Sequence, residues 1–207
     1  ITRVRKLVSR PPVMVEADTP AREAARRVTE AQGSAVLVLA APEHAGRYSF
    51  TDDAGNLWDL RGILTDSDFR NRVVAEGLSP DTPVGEIVMD GLHAVQSDDS
   101  VYDAMLSMLR NNVHHLPVLQ RRRPIGIVHL SDIIRYETQS SLYLVNNIFN
   151  QSSAEGLARL APDVRASFVR MVDEGADSRM IGSALSSIGQ AFIRRLLELG
   201  EEELGPP

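Results

Sequence analysis

The sequence contains two copies of one pattern, and a duplication of this size restricts the chain to folds that can be built twice and packed against themselves. Val15-Glu16-Ala17-Asp18-Thr19 aligns with Val95-Gln96-Ser97-Asp98-Asp99 at an offset of 80 residues, which also sets Ala24 on Ala104 and Val38 on Val118. Gly62-Ile63-Leu64-Thr65 aligns with Gly126-Ile127-Val128-His129 at an offset of 64. The first copy therefore holds 16 extra residues between its matched segments.

Each copy reads as a strand, a helix, two strands and a helix, an alternation that predicts α/β layering. In the first copy Thr19 is the expected N-cap and Pro20 the first helical residue, with Ala21, Ala24, Ala25 and Val28 at helical spacing and the helix ending near Gly33. Ser34 to Ala40 is a short apolar run suited to a strand covered on both faces. A further strand is expected over Arg61 to Leu64 and a helix from Asp66. In the second copy Val101, Ala104, Met105, Met108 and Leu109 form the helix stripe, and His115 to Leu119 and Pro124 to His129 the strands. The extra residues, 41–60, carry Arg47-Tyr48-Ser49-Phe50 and Leu57-Trp58-Asp59-Leu60 around a Thr51 to Asn56 turn, the pattern of a β-hairpin. Trp58 there serves either hairpin packing or a partner contact. From Ser140 onward the pattern is helical alone, with breaks expected near Ser152-Ser153 and Gly175 and a helix stop at Gly205-Pro206-Pro207. The expected divisions are 1–76, 77–137 and 138–207.

The 207 residues suffice for one large domain or two small ones. With 22 basic against 28 acidic side chains the net charge is −6, which argues against a chain that coats nucleic acid or an anionic membrane. There is no cysteine, so disulfides, thiolate metal sites and cysteine nucleophiles are excluded, in keeping with a reducing, cytoplasmic setting. No apolar stretch reaches membrane-spanning length. A start at Ile1 and a Pro206-Pro207 end after a helical segment suggest a piece of a longer chain.

Thr65-x-x-Asp68 at the start of a helix is either a capping box or a ligand site. Ser100-x-x-Asp103 and Ser152-x-x-Glu155 share its spacing and read as structural. A helix N-terminus offers free N–H groups to a phosphate, a threonine hydroxyl adds a bond, and a carboxylate accepts from ribose hydroxyls. Arg61, Arg70 and Arg72 flank this turn and Arg121-Arg122-Arg123 precedes its counterpart, as phosphate ligands or as solvated loop charges. His93, His114, His115 and His129 do not make a metal site: adjacent strand residues such as His114 and His115 point to opposite faces, and no acidic residue stands at ligand spacing. No serine sits in a nucleophile elbow.

The duplicated order, the His115-Leu116-Pro117-Val118 strand and the Gly62-Ile63-Leu64-Thr65-Asp66-Ser67-Asp68 ending resemble a tandem pair of CBS domains, the modules named for cystathionine β-synthase, over about residues 1–137. The second ending, Gly126-Ile127-Val128-His129-Leu130-Ser131-Asp132, departs by placing histidine where the family prefers Ser or Thr. The resemblance implies a regulatory adenine-nucleotide ligand such as AMP, ADP or ATP. It assigns Thr65, Asp68, His129 and Asp132 to the phosphate and ribose, and Val13, Met14, Ala35, Ala94, Val95 and His115 to the adenine slot; Arg70 and Arg72 are candidate phosphate ligands. It further implies a homodimer and no catalysis by these residues, the ligand-free alternative being a dimerisation scaffold. The last seventy residues, through Phe192-Ile193-Arg194-Arg195-Leu196-Leu197-Glu198-Leu199, are similar to bacterial CBS-pair proteins that continue into a nucleotidyltransferase output domain, as relatives of the protein-PII uridylyltransferases. Neither Gly33-Ser34 nor Gly182-Ser183 leads into the paired carboxylates such a domain needs.

Overall fold

The computed structural model describes residues 2–43, 46–138 and 141–205, and these fall into two compact units, Ile1–Ile133 and Ile134–Pro207. Ser140, Pro206 and Pro207, on which the start of the helical region and its stop signal were placed, lie outside the described residues.

The first unit carries two sheets. One has the order β1-β2-β4-β3, built from β1 (Met14–Glu16), β2 (Ala35–Ala40), β3 (Ser49–Thr51) and β4 (Leu57–Thr65). The other has the order β5-β6-β7, from β5 (Val95–Gln96), β6 (His115–Gln120) and β7 (Arg123–His129). The registers repeat the sequence offsets: Val15 pairs with Val38 as Val95 pairs with Val118, and Ala35 with Thr65 as His115 with His129. Even the irregularity recurs, between Val38 and Leu39 and between Val118 and Leu119.

The apolar runs serve two cores because strand side chains alternate between faces. Val36 and Val38 join Val28 and Leu64 beneath α1 (Ala21–Glu30), while Leu37 and Leu39 join Phe50, Leu60 and Leu119, a cluster drawn from both sheets. In the second repeat Leu116 and Val118 pack with Ala104 and Met108 of α3 (Val101–Asn111).

Two helix ends differ from the sequence reading. α1 starts at Ala21 with Pro20 as its N-cap, one residue later than expected, because the linker satisfies the orphan N–H groups: Ala21 N–H donates to Thr82 O and Arg22 N–H to Pro80 O, both at 2.9 Å. At the far end the left-handed residue is Gln32 (φ 53°), not Gly33, and its repeat counterpart Asn112 (φ 50°) does the same after α3. In the second repeat Ser100 caps α3, accepting from Asp103 N–H at 3.0 Å.

The extra residues do form a hairpin, but its second arm is continuous with the following strand, so that β4 runs unbroken from Leu57 to Thr65. Asp52 closes the turn by accepting from Asn56 N–H at 2.8 Å and from Trp58 Nε1–H at 2.9 Å. The bond from Trp58 holds the Asp52 carboxyl below the usual carboxylate range. Trp58 is thus half-buried hairpin packing, set against the cluster shared by the two sheets.

A feature absent from the sequence reading completes this unit. Short 3₁₀ turns precede each repeat, Val4–Leu7 and Val84–Glu86, at the same offset of 80, and each packs on the other repeat. Val4 N–H donates to Asp99 O, and Val84 N–H to Thr19 O, both at 2.9 Å. Both valines are fully buried.

The second unit is helical: α5 (Ser141–Phe149), α6 (Ala154–Ala158), α7 (Ala161–Asp173) and α8 (Ser178–Leu204), following α4 (Leu130–Thr138), which closes the second repeat. The break near Ser152-Ser153 is present, with Ser153 capping α6, as is the break at Gly175 (φ 75°). One more falls at Arg159–Leu160, ahead of Pro162 at the start of α7. Leu144, Ile148, Leu157, Leu160, Ile188 and Ala191 form the core. Among the described residues no helix is long and apolar enough to cross a membrane.

Candidate functional site

The register pairs place the C-terminal ends of β4 and β7 beside the starts of β2 and β6. At this end of the first unit opens a cleft of about 860 Å³, with walls from both repeats. The first repeat contributes Ser34, Ile63 and the turn Thr65 to Asp68, together with Arg70 and Arg72; the second contributes Asn111 to His115 and His129; the linker contributes Met89 to His93.

The Thr65 turn is a complete capping box. Thr65 N–H and Thr65 Oγ1–H donate to Asp68 Oδ2 at 2.8 and 3.0 Å, and Asp68 N–H donates to Thr65 Oγ1 at 3.4 Å. The helix it starts, α2 (Asp66–Asp68), gives way to a π-helical stretch over Phe69–Val74, where a regular helix was expected. That wider turn carries Arg70 and Arg72. Arg72 lies between Asp68 Oδ1, 3.6 Å away, and the linker, donating to Ile87 O at 3.0 Å and to Met89 Sδ. Among the described residues Arg70 donates to Asn71 Oδ1 alone, at 3.3 Å, so its guanidinium stands at the cleft with donors to spare.

The second repeat builds the same turn with an imidazole. His129 N–H donates to Asp132 Oδ2 at 2.8 Å, and His129 Nδ1 accepts from Ser131 N–H at 3.0 Å, as a cap hydroxyl would. The His129 ring lies 4.4 Å from that of His115, whose Nε2 is 2.8 Å from Ser34 Oγ of the first repeat. This bond crosses between the repeats at the cleft. Burial pushes the His115 imidazole down to about 4, the neighbouring imidazoles His129 and His114 adding to it and Asp132 and Asp68 opposing it.

Of the twelve residues singled out from the sequence, Thr65, Asp68, Arg70, Arg72, His115 and His129 therefore meet at one cleft. The other six lie outside its lining. Val95 and Ala35 are buried, Val13 packs with the first repeat's core, and Met14 and Ala94 pack with the cluster shared by the sheets. Asp132 caps α4. Sequence reasoning missed Ser34, Asn112, His114 as a wall residue, and the linker from Met89 to His93. The repeat offset relates two of these, since Ser34 stands 80 residues before His114; no signal marked the linker. Among the described residues no group of three or more His, Cys, Asp or Glu is placed to hold a metal ion.

The profile of the CBS domain matches residues 4–75 and 79–138. The CBS domain-containing protein YhcV of Bacillus subtilis is 29% identical over 102 residues, 49% of this chain and 66% of that protein. Hypoxic response protein 1 of Mycobacterium tuberculosis is 35% identical over 78 residues, 37% of this chain and 54% of that protein. The chain thus spans a little under two thirds and about half the length of these two relatives. Among solved structures, a CBS domain protein from Pyrobaculum aerophilum complexed with AMP is 23% identical, with a TM-score of 0.51 over 63% of this chain and 89% of that one. The CBS domain pair of protein MJ0100, in complex with 5′-methylthioadenosine and S-adenosyl-L-methionine, is 24% identical, with a TM-score of 0.52 over 66% and 95%. With two matched repeats, duplicated registers and reciprocally exchanged 3₁₀ turns, this chain belongs to the CBS-domain family and carries its domains as a tandem pair.

Proposed function

We propose that the CBS pair is a non-catalytic regulatory sensor of an adenosine-containing small molecule, AMP, ADP or ATP in the first instance, bound in the cleft between the repeats. The observation that carries this reading is the meeting of Thr65, Asp68 and Arg70 from one repeat with His115 and His129 from the other around a single cavity. Its volume falls in the range of small-molecule sites, roughly 300–1,000 Å³. Asp68 offers a carboxylate to ribose hydroxyls, the start of α2 with Thr65 and Arg70 offers donors to a phosphate, and Ile63 and Val113 supply apolar surface. The AMP and S-adenosylmethionine complexes of the two solved relatives support the same ligand class. A ligand that touches both repeats shifts their relative arrangement by its differential affinity for the two states.

The remaining parts of the proposal are a division at 1–76, 77–137 and 138–207, a homodimer through the CBS pair, a cytoplasmic setting, and helices α5–α8 as the connection to an output domain of the nucleotidyltransferase type. Val13, Met14, Ala35, Ala94 and Val95 complete the proposed nucleotide site as its apolar part, and Asp132 belongs to it through its bond from His129 N–H. A second reading, the ligand-free scaffold, draws on the mutual bonding of Thr65 and Asp68. Isothermal calorimetry with AMP, ADP, ATP and cyclic AMP separates the two: binding by at least one supports the sensor, and heats no larger than dilution for all four support the scaffold.

A further inference from the structure

The arginines of 121–123 lie away from the cleft. β6 and β7 pair from His115 with His129 to Gln120 with Arg123, which leaves Arg121 and Arg122 as a two-residue turn at the far end of the hairpin. His115 at the cleft and Gln120 at the turn are five residue steps apart, roughly 17 Å along the strand.

Both turn residues have positive φ, 50° for Arg121 and 69° for Arg122, the combination that a type I′ connection requires and that Asn-Gly meets at the least cost. In this region Cβ crowds the following carbonyl oxygen, so a long side chain at both positions lowers stability. Elsewhere among the described residues the positions with positive φ hold glycine or an uncharged amide, Gln32 and Asn112. Charge thus stands at this turn against the preference of the backbone. Nothing in the described chain makes use of it: neither Arg121 nor Arg122 has an ion pair or a side-chain hydrogen bond there, whereas Arg123 pairs with Asp53 at 2.7 Å.

Beside the turn is a hollow of about 500 Å³, walled by Phe50 and Thr51 of β3 and by Gln120, Arg121 and Arg123. Its polar wall is rich in donors, from two guanidiniums, an amide and a hydroxyl. The neighbouring carboxylates are engaged, Asp53 by Arg123 and Asp52 by Asn56 and Trp58.

We propose that this hollow is a second ligand site, for the phosphate group of a small molecule. Arg121 supplies the guanidinium fork, Thr51 and Gln120 supply neutral donors, and Arg122 adds a second uncompensated charge. The paired N–H groups of a guanidinium match two oxygens of a phosphate, which gives the strained arginines the partner that the chain itself does not provide. This site is separate from the cleft and does not depend on the nucleotide reading.

The test is to titrate inorganic phosphate and pyrophosphate into the full chain at low salt while following the backbone amide resonances of residues 50–51 and 120–123. The titrations are repeated on Arg121→Asn combined with Arg122→Gly, which keeps the turn and removes both charges. The expected result is saturable shifts at these residues with at least one probe, with a dissociation constant below about 10 mM. In the variant this binding weakens about tenfold or more, and the thermal midpoint lies above that of the parent. No saturable shift with either probe, shifts confined to the cleft around Arg70, or undiminished binding in the variant overturns the proposal. A variant that melts below the parent overturns it as well, because the arginines would then serve the turn itself.

Discussion

At the scale of single residues, the departure from the family pattern at His129 turns out to be a substitution of one cap acceptor for another. Its Nδ1 takes the N–H of Ser131, one residue before the counterpart of the Asp68 N–H that the Thr65 hydroxyl takes in the first repeat, and the ring leans on His115. His115 Nε2 in turn bonds Ser34 Oγ, a hydroxyl that can donate to the ring nitrogen or accept from it. The folded value of His115 near 4 lies below the unfolded value near 6.5, so the unfolded chain binds the proton first. Stability from this group is full above pH 6.5 and is lost as the pH falls towards 4. Chemical denaturation at steps between pH 7 and pH 4 should show this decline, and His115→Gln, which keeps a hydrogen-bonding side chain without titrating, should flatten it. An equal decline in both proteins would remove His115 as its source. In the cleft itself, Asp68→Asn should weaken nucleotide binding about tenfold by replacing a charged acceptor with a neutral one, as a calorimetric titration would read.

At the scale of elements, close packing explains why β4 and β7 each carry a glycine at the same register. A Cβ on Gly62 would come within 2.5 Å of Val88 Cγ2 and 3.1 Å of Met89 O; one on Gly126 would come within 2.5 Å of Val8 Cγ1. Val8 and Val88 are themselves 80 residues apart, just after the two 3₁₀ turns. Overpacking of this kind costs about 1–3 kcal/mol. Gly62→Ala should fall in the upper part of that range, since a backbone carbonyl as well as a stiff valine must move, and Gly126→Ala in the lower part; urea unfolding midpoints would give the order. The elements were also the most legible part of the chain. Apolar runs and helical apolar spacing located β2, β6, β7, the end of β4 and the helices α1 and α3 that cover them, because those patterns are imposed by burial on one or two faces. Boundaries set by distant partners were not legible: Pro20 caps α1 only because Thr82 and Pro80 supply acceptors, and β4 is long only because β3 lies beside it. The π-helical Phe69–Val74 has no signature in its sequence.

At the scale of the whole CBS pair, the exchanged 3₁₀ turns tie each repeat's core to the other repeat's leader. Val4 completes the core of the second repeat and Val84 that of the first. Truncating either to Ala should cost about 2 kcal/mol. Because the cores share partners, hydrogen exchange in β6 should accelerate in Val84→Ala as well as exchange in β2; acceleration confined to β2 would show that the repeats open independently. The same pairing explains the cleft. Its first-repeat half was readable as the Thr65–Asp68 turn, a local motif. Its second-repeat and linker walls arise from the way two sheets meet through Leu37, Leu39, Leu60 and Leu119, and no local pattern encodes that meeting.

The most direct test of a cleft shared between repeats is a calorimetric titration of AMP against the intact chain, Asp68→Ala and Asp132→Ala. The account predicts that Asp68→Ala loses binding by tenfold or more, whereas Asp132→Ala, which lies outside the cleft lining, keeps affinity within about threefold of the parent. Unchanged affinity in Asp68→Ala, or loss only in Asp132→Ala, would contradict it.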